Sequence, residues 1–265
     1  MKLLTLNTHS WQENNQQQKI ETLANVIVEQ QYDVIAIQEV SQLIHSTPLG
    51  ENPTIHQDNY GYLLLNELRA LGCDDYRFCW AFAHIGYDIF EEGVAILTKH
   101  PIISQEMITL TNQADSNSWK SRVALKLTLS YDEMMIDVYS CHLGFWEDAE
   151  EPSKLQFKQL LASTTHERLT FLLGDFNSEA SKKNQGYSLM KKQGWFDTYL
   201  LANKKDQGTT VSGAIAGWSQ NHKDKRIDYI FTNQKLDVIQ SQTIFNGINE
   251  PIISDHFGIH VNINL

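Results

Sequence analysis

Five short polar motifs stand at the ends of apolar runs in this chain. They are Thr5-Leu-Asn7, Ile37-Gln-Glu39, Ser140-Cys-His142, Gly174-Asp175-Phe-Asn177 and Ser254-Asp255-His256, with Arg226-Ile-Asp228-Tyr upstream of the last. Each motif brings a carboxylate, amide or imidazole to the carboxyl end of an expected strand. One such motif is common, but five in one chain indicate a single polar site built across a sheet edge. A site of this kind suits metal-assisted phosphate chemistry.

The carboxylate and amide motifs predict a site for a hard metal ion. Glu39 follows the apolar run Asp33-Val-Ile-Ala-Ile-Gln38, and a buried carboxylate is costly unless it is paired or binds a cation. Oxygen ligands from Glu, Asp and Asn, without Cys, suit Mg²⁺ or Mn²⁺ better than Zn²⁺. We therefore expect Mg²⁺ (or Mn²⁺) as the cofactor.

The charge balance favours a small substrate and makes nucleic acid a less favoured partner. The 265 residues include 21 Lys and Arg against 32 Asp and Glu, which gives a net charge of −11. Nucleic-acid binding depends on basic patches, and the densest basic stretch, Lys223-Asp-Lys225-Arg226, is short and interrupted. With 42% hydrophobic and 20% charged residues, the composition is that of an ordinary globular protein.

The cysteines and the apolar runs argue against a disulfide framework and a membrane span. Cys73, Cys79 and Cys141 form no Cys-x-x-Cys motif, so we expect buried, reduced thiols. Cys141 is no good candidate for a nucleophile paired with His142, because adjacent strand residues point to opposite faces. No apolar run reaches transmembrane length, and the start, 1–7, is too short for a signal peptide. We expect a cytoplasmic protein with no membrane partner.

Strand-like and helix-like runs alternate along the chain and must position the motifs. Apolar periodicity predicts helices over 17–30, 59–71, 152–166 and 182–193. Apolar or alternating runs predict strands over 3–7, 33–38, 77–84, 93–98, 122–129, 135–142, 169–174, 226–231, 236–243 and 257–264. This order predicts two packed sheets with helices outside. The stretches 42–58, 111–121 and 203–224 are long loops, which are usually functional or mobile.

Taken together, these motifs resemble the endonuclease/exonuclease/phosphatase superfamily. Its members include deoxyribonuclease I, abasic-site endonucleases, inositol polyphosphate 5-phosphatases and neutral sphingomyelinases. The resemblance runs in family order from Leu3 to His256. It implies one catalytic domain over residues 1–265, with an α/β fold: a deoxyribonuclease I-like four-layer sandwich, in which two packed mixed β-sheets are flanked by helices.

The resemblance also implies roles for the metal-binding and catalytic residues. Glu39 is similar to the family's principal metal-binding glutamate, and Asn7 to the asparagine that supports metal and phosphate. Asp255 resembles an auxiliary metal ligand. His256 resembles the catalytic histidine, with Asp228 as the carboxylate that orients it.

Further roles concern the attacking water and the phosphate. Asp175 and Asn177 resemble the pair that positions the water and binds phosphate oxygens. His142 is similar to a second histidine found in some branches, and Glu92 is a candidate partner for it and a candidate substrate contact. Arg122 stands where some members place a phosphate-contacting arginine. The implied reaction is in-line attack of an activated water without a covalent intermediate, with the identity of the general base left open.

Tryptophans in expected loops favour a sugar as the substrate. Trp146 follows His142 closely, Trp218 lies in the long loop before Asp228, and Trp119 precedes Arg122. Aromatic planes near a phosphate site suit stacking on a sugar face or a base, so Trp146 and Trp218 are candidate substrate contacts. The stretches 6–11, 84–88 and 217–219 are similar to a bacterial branch of sugar-phosphate phosphatases that includes maltose 6′-phosphate phosphatase.

Four functions remain as hypotheses from these observations. The first is a metal-dependent phosphomonoesterase acting on a small phosphorylated sugar, with maltose 6′-phosphate as the candidate. A nuclease or abasic-site endonuclease would need a basic face and a loop inserted into DNA. A phosphodiesterase on phospholipid head groups would bring a signal peptide or an apolar hairpin. A non-enzymatic binding module would have lost part of the metal and histidine set. We therefore expect a phosphoric ester hydrolase, with phosphatase favoured over nuclease.

Overall fold

Two mixed β-sheets pack face to face in this protein, and helices cover their outer sides. The computed structural model describes residues 1–112, 115–215, 217–220 and 222–265. In chain order the elements are β1 (Lys2–Asn7), α1 (Gln16–Gln30), β2 (Val34–Leu43), α2 (Tyr60–Ala70), β3 (Arg77–Gly86), β4 (Phe90–Thr98), β5 (Ile102–Thr109), β6 (Val123–Tyr131), β7 (Met134–His142), α3 (Ser153–Ser163), β8 (Leu169–Asp175), α4 (Gly186–Lys192), β9 (Phe196–Asp197), α5 (Thr198–Leu201), β10 (Lys204–Lys205), β11 (Asp228–Thr232), β12 (Asp237–Ile244) and β13 (Gly258–Asn264).

The strand order brings distant parts of the chain side by side. The first sheet has seven strands in the order β10-β12-β13-β1-β2-β4-β3, and the second has six in the order β5-β6-β7-β8-β11-β9. β1 and β2 run parallel in the first sheet, and β7 and β8 run parallel in the second. The polar ends of both parallel pairs can therefore meet at one end of the sandwich.

The apolar residues of each strand divide between two layers of core, because successive side chains point to opposite faces. On β2, Val34 and Ala36 belong to the cluster between the sheets, whereas Ile35 and Ile37 belong to the cluster under α1 and α2. A third cluster packs α3 and α4 against the outer face of the second sheet. The four-layer sandwich expected from the sequence is confirmed.

The expected elements are largely confirmed, with two kinds of difference. The strand expected over 33–38 continues to Leu43, and the helix expected over 182–193 begins only at Gly186. Strand β5 was not expected. It lies at one edge of its sheet, and most of its residues are exposed. Its side chains therefore need no apolar alternation, and a period-two pattern cannot reveal it.

None of the helices in the described stretches combines the length and the apolar character that crossing a membrane requires.

Candidate active site

The sequence motifs converge on one pocket between the two sheets. Asn7 ends β1 and Glu39 lies within β2 of the first sheet, while His142 and Asp175 end β7 and β8 of the second. The pocket has a volume of about 440 Å³. Of the residues expected at the site, it is lined by Glu39, Glu92, Arg122, His142, Asp175, Asn177 and His256.

The expectation that every motif ends a strand at one sheet edge is wrong for part of the site. Asp228 begins β11, which runs antiparallel to β8 and places Asp228 directly opposite Asp175. His256 likewise precedes β13, which runs antiparallel to β1. The site is therefore built from both sheets, and within each sheet from strands that run in opposite directions. Strands that are neighbours in a sheet are far apart along the chain, and so are the site residues that they carry.

Irregular backbone aims the side chains of Glu39 and Asp175 into the pocket. A register shift between Ile37 and Val40 marks a β-bulge in β2, and Glu39 within it has a φ of 52°. Such bulges re-aim a side chain next to active sites. Gly174 precedes Asp175 with a φ of 144°, and a Cβ there would lie 1.9 Å from the Cys141 carbonyl oxygen. The glycine in the Gly-Asp-Phe-Asn motif is thus required by the close approach of β7.

His256 and Asp228 form a buried acid–base pair. The Asp228 carboxylate lies 3.0 Å from His256 Nδ1, so His256 Nδ1–H donates to it and the Nε2 faces Asp175 at 3.7 Å. Burial alone would lower the pKa of His256, but the charges of Asp228 and Asp175 raise it to about 10. His256 is therefore an imidazolium at neutral pH.

Asp175 is the central carboxylate of the pocket. Its Oδ2 accepts from Asn7 Nδ2 at 3.2 Å and lies 3.8 Å from His142 Nε2, and its Oδ1 accepts the Asn177 N–H at 2.8 Å. Burial and the charge of Asp228 raise the pKa of Asp175 to about 7, although His256 opposes the shift. A carboxylate with a pKa near neutrality can gain and lose a proton during a reaction.

His142 is neutral and Cys141 plays no part in the pocket. Burial, followed by the charge of Arg122, lowers the pKa of His142 well below its usual value. Cys141 is fully buried on the opposite face of β7, and burial raises the pKa of its thiol. The expectation of buried thiols holds for Cys141 but is wrong for Cys73 and Cys79, which are partly exposed.

Asn7, which was expected to support a metal ion, donates hydrogen bonds to two carboxylates. Its Nδ2 donates to Glu39 Oε1 at 2.8 Å as well as to Asp175, and its Oδ1 accepts the His9 N–H at 3.1 Å. Asp255 Oδ1 lies 3.7 Å from His9 Nδ1. The available donors are mainly carboxylate and amide oxygens, and hard divalent cations prefer these ligands. The residues present fit the expected ion.

Among the residues that the structure describes, two groups of side chains have ligand atoms within 4.8 Å of one another, close enough to share a metal ion. One comprises His9, Glu13 and Asp255, and the other comprises Asp175, Asp228 and His256. In the second group, His256 Nδ1 already donates to Asp228. A metal ion there would have to compete with that hydrogen bond, so this group is better explained as the acid–base part of the site.

The β3–β4 side of the pocket carries Glu92, His84 and Arg122. Glu92 Oε1 lies 3.4 Å from His84 Nε2, whereas the carboxylates near His142 are those of Glu39 and Asp175. The expectation that Glu92 partners His142 is therefore wrong, because Glu92 pairs across β3 and β4 with His84. Burial and the Glu39 charge raise the pKa of Glu92 to about 8.

Arg122 is buried with part of its guanidinium unused. Its Nη1 donates to the carbonyls of Trp119 and Ser121, but its buried Nε has no hydrogen-bond partner in the described structure. An unsatisfied buried donor is costly. A phosphate oxygen is the kind of acceptor that would satisfy it.

The two tryptophans that were expected to contact the substrate, Trp146 and Trp218, lie in different parts of the structure. Trp146 lies outside the pocket, packs edge-on against Phe157 and lines a separate cleft beside α3 and α4. Its side chain turns away because Phe145, the preceding residue, takes the pocket-lining position. Trp218 donates its Nε1–H to Asn177 Oδ1 at 3.0 Å and so supports the site from behind.

Sequence reasoning missed Tyr87 and His84 as pocket residues and did not commit to Trp119. All three line the pocket. The signal for His84 and Tyr87 was the similarity of the stretch 84–88 to sugar-phosphate phosphatases, and the signal for Trp119 was its position in an expected loop just before Arg122. The hairpin that brings this stretch to the pocket depends on the pairing of β3 with β4.

Comparisons with solved structures find the same fold in other proteins. A protein from Leptotrichia buccalis, described as an endonuclease/exonuclease/phosphatase family protein, is 40% identical over 100% of both chains, with a TM-score of 0.93. A mannosyl-6-phosphatase from Bacteroides thetaiotaomicron is 15% identical over 100% of both chains, with a TM-score of 0.68. D. rerio TDP2, complexed with a single-strand DNA product, is 14% identical over 100% of this chain and 99% of its own, with a TM-score of 0.66.

One family model matches most of the chain, whereas each sequence motif covers only a few residues. No curated protein gives a match to the chain. The model described as the Endonuclease/Exonuclease/phosphatase family matches residues 5–256. This span begins in β1 and ends at His256, so it includes every residue that lines the pocket and every strand except β13. The expected deoxyribonuclease I-like fold is confirmed. The chain belongs to the endonuclease/exonuclease/phosphatase family.

Proposed function

We propose that this protein is a metal-dependent phosphomonoesterase that hydrolyses a small phosphorylated sugar, with maltose 6′-phosphate as the candidate substrate. The observation that carries the proposal is the pocket around Asp175, where a carboxylate with a pKa near 7 lies within 4 Å of His256 and His142. A pocket of about 440 Å³ falls within the range of roughly 300–1,000 Å³ that takes small ligands.

The cofactor in this proposal is Mg²⁺ or Mn²⁺, held mainly by Glu39. Asn7 and Asp255 would complete or support the protein's part of the coordination, and water would supply further ligands. When bound, the ion would polarise the phosphoryl oxygens and offset their negative charge. Proton transfer and the binding of the phosphoryl oxygens depend on side chains of this protein.

Asp175 accepts a proton from the attacking water as the new O–P bond forms and the bond between phosphorus and the sugar oxygen breaks. The sugar oxygen takes up a proton from solvent, and Asp175 later returns its own proton to solvent, so the protons balance. Its carboxylate is fixed by the Asn7 amide and the Asn177 N–H, so a water bound to it is held in one direction. Because burial and Asp228 raise its pKa to about 7, Asp175 is a stronger base than an exposed aspartate. General bases work best when their pKa lies near the operating pH.

His256, Asn177 and Arg122 bind the phosphoryl oxygens as negative charge grows on them. The His256 imidazolium keeps its proton and is oriented by Asp228. Asn177 is fixed at both ends, since its Nδ2 donates to the Leu143 carbonyl and its Oδ1 accepts from Trp218. One N–H of its amide is left for a phosphate oxygen. Preorganised donors of this kind stabilise charge that develops in the transition state.

The charges around the pocket support phosphatase over nuclease. The protein has a net charge of −11, and the pocket lining includes Arg122 beside the carboxylates of Glu39, Asp88, Glu92 and Asp175. A polynucleotide would need several cations along its backbone. The similar fold of the Bacteroides mannosyl-6-phosphatase is consistent with a sugar phosphate, whereas that of TDP2 keeps a nucleic-acid end as the alternative.

A substrate panel tests this proposal. Phosphate release would be measured with Mg²⁺, with Mn²⁺ and with EDTA from maltose 6′-phosphate, trehalose 6-phosphate, glucose 6-phosphate and an inositol phosphate, beside cleavage of abasic-site DNA. We expect metal-dependent release from a sugar phosphate, with the DNA intact. Cleavage of DNA with the sugar phosphates inert would contradict the proposal and favour a nuclease with the same catalytic residues.

A further inference from the structure

Two large aromatic side chains stand exposed on the wall of the pocket. Tyr87 is 66% exposed and Trp119 is 54% exposed, yet both line the same pocket as Asp175 and His256. Single exposed aromatics on a surface need no explanation. Two on one wall of a catalytic pocket offer an apolar face for something that binds there.

The position of Tyr87 is conformationally costly for its residue type. Tyr87 and Asp88 are the first two residues of the turn between β3 and β4, with φ values of 51° and 61°. Aspartate tolerates this left-handed region and glycine prefers it, but a bulky residue there is uncommon. Strained positions of this sort cluster at functional sites. The tyrosine is therefore better explained by what its ring does than by the needs of the turn.

The backbone holds Tyr87 and Trp119 on one preorganised wall. The Ile85 N–H of the hairpin donates to the Ser116 carbonyl at 2.7 Å, which joins the hairpin to the loop of Trp119. Arg122 Nη1 donates to the Trp119 carbonyl. Lys120, which pairs with Asp148 at 2.9 Å, lies 5.6 Å from the centre of the Trp119 ring. These contacts hold the backbone of the wall and the Trp119 ring in place before a ligand binds, and preorganisation of this kind improves affinity.

We infer that Tyr87 and Trp119 form the subsite for the leaving group, and that this leaving group is a pyranose ring. The inference rests on the proposed function and names the part of the substrate that this wall recognises. A pyranose presents a face of C–H groups to an aromatic ring and hydroxyl groups at its edge. Asp88 and Asn117, polar residues of the same wall, are placed to accept those hydroxyl hydrogens.

The same wall is poorly suited to a nucleotide or a highly phosphorylated ring. Asp88 and Glu92 flank it, and their negative charge would repel further phosphates. Pyranose hydroxyls, in contrast, are good donors to carboxylates. The wall therefore selects sugars that carry one phosphate, while the Asp175 end of the pocket handles the phosphate of any ester.

The test separates the binding of the ring from the hydrolysis of the phosphate. The variants are Tyr87→Ala and Trp119→Ala, with Trp146→Ala as the matched control, because Trp146 lies outside the pocket. For maltose 6′-phosphate and glucose 6-phosphate we expect each wall variant to raise KM roughly tenfold with little change in kcat, the result of losing uniform binding. For glycerol phosphate, which has no ring, KM should stay within about twofold.

Other outcomes overturn the inference or the function separately. Equal losses for glycerol phosphate and the sugar phosphates, with a lower melting temperature, would make Tyr87 and Trp119 structural. A loss confined to a nucleoside 5′-monophosphate would make the wall a base-binding site. If the wild type hydrolyses no phosphomonoester, the proposed function fails, and calorimetry with unphosphorylated maltose still decides the subsite. Heat of binding that both wall variants lose would support the subsite, and its absence in the wild type would contradict it.

Discussion

The floor and the wall of the pocket are built in opposite ways. On the floor, Asp175, Asp228 and His256 are nearly fully buried and come from strand ends of both sheets, and the charge of Asp228 raises the pKa values of Asp175 and His256. On the wall, Tyr87 and Trp119 are more than half exposed and stand on a hairpin and a loop. Under the proposed function, the buried floor would handle the charge of the phosphate and the exposed wall would select the substrate.

The largest effect should follow from Asp175→Asn. The amide keeps the shape of the side chain but cannot accept the proton of the attacking water, so kcat should fall by roughly 10²–10⁴-fold, the usual share of a general base. The wall is untouched, so calorimetry should show that maltose still binds. Turnover within tenfold of the wild type would show that Asp175 is not the general base.

The second largest effect should follow from Glu39→Gln, which tests the metal site on the floor. A ligand that binds only the folded state raises the melting temperature, so Mg²⁺ should raise that of the wild type. Glu39→Gln should lose this increase together with activity. Glu106→Gln on the exposed strand β5 is the control. An unchanged Mg²⁺ response in Glu39→Gln would place the ion elsewhere.

The pH dependence should show that the floor residues act as a coupled group. Asp175 must lose its proton and has a pKa of about 7, so activity should fall as the pH drops below that value. His256 must keep its proton and has a pKa of about 10, so activity should also fall above it. Because the Asp228 charge raises both pKa values, Asp228→Asn should move both limbs of the kcat/KM profile to lower pH. Limbs that stay in place would contradict the coupling.

The floor could be predicted from the sequence far better than the wall. Asp175, Asp228 and His256 stand in short motifs beside apolar runs, and strand ends are visible as changes in polarity. The direction of β11 and β13 was missed, because no pattern within one strand records which neighbour it pairs with. The alternation of elements, which depends on local periodicity, predicted two packed sheets with helices outside. The four-layer, deoxyribonuclease I-like fold was implied by the resemblance to the family.

The wall escaped prediction because its residues are defined by pairing between segments. Trp146 was expected at the pocket because it follows His142 closely, but Phe145 takes that position and Trp146 packs on Phe157. Glu92 was assigned to His142, although the register of β3 and β4 brings it to His84. Cross-strand register is set by packing along the whole hairpin, so a short motif cannot reveal it.

The smallest effect should follow from Trp218→Phe. The ring can keep its contact with Phe145, but the hydrogen bond from Nε1 to Asn177 is lost. One neutral hydrogen bond is worth about 1 kcal/mol, so kcat should fall by about fivefold with KM nearly unchanged. Trp146→Phe, the control from outside the pocket, should leave both constants at wild-type values. A change in KM without a change in kcat would assign Trp218 to the wall.

The most direct test of the whole account is the release of inorganic phosphate from maltose 6′-phosphate in the presence of Mg²⁺, followed for the wild type and for Asp175→Asn. We predict steady release by the wild type that EDTA stops, and release slowed by roughly 10²–10⁴-fold in Asp175→Asn. A wild-type protein that leaves every sugar phosphate intact but cuts abasic-site DNA would contradict the account.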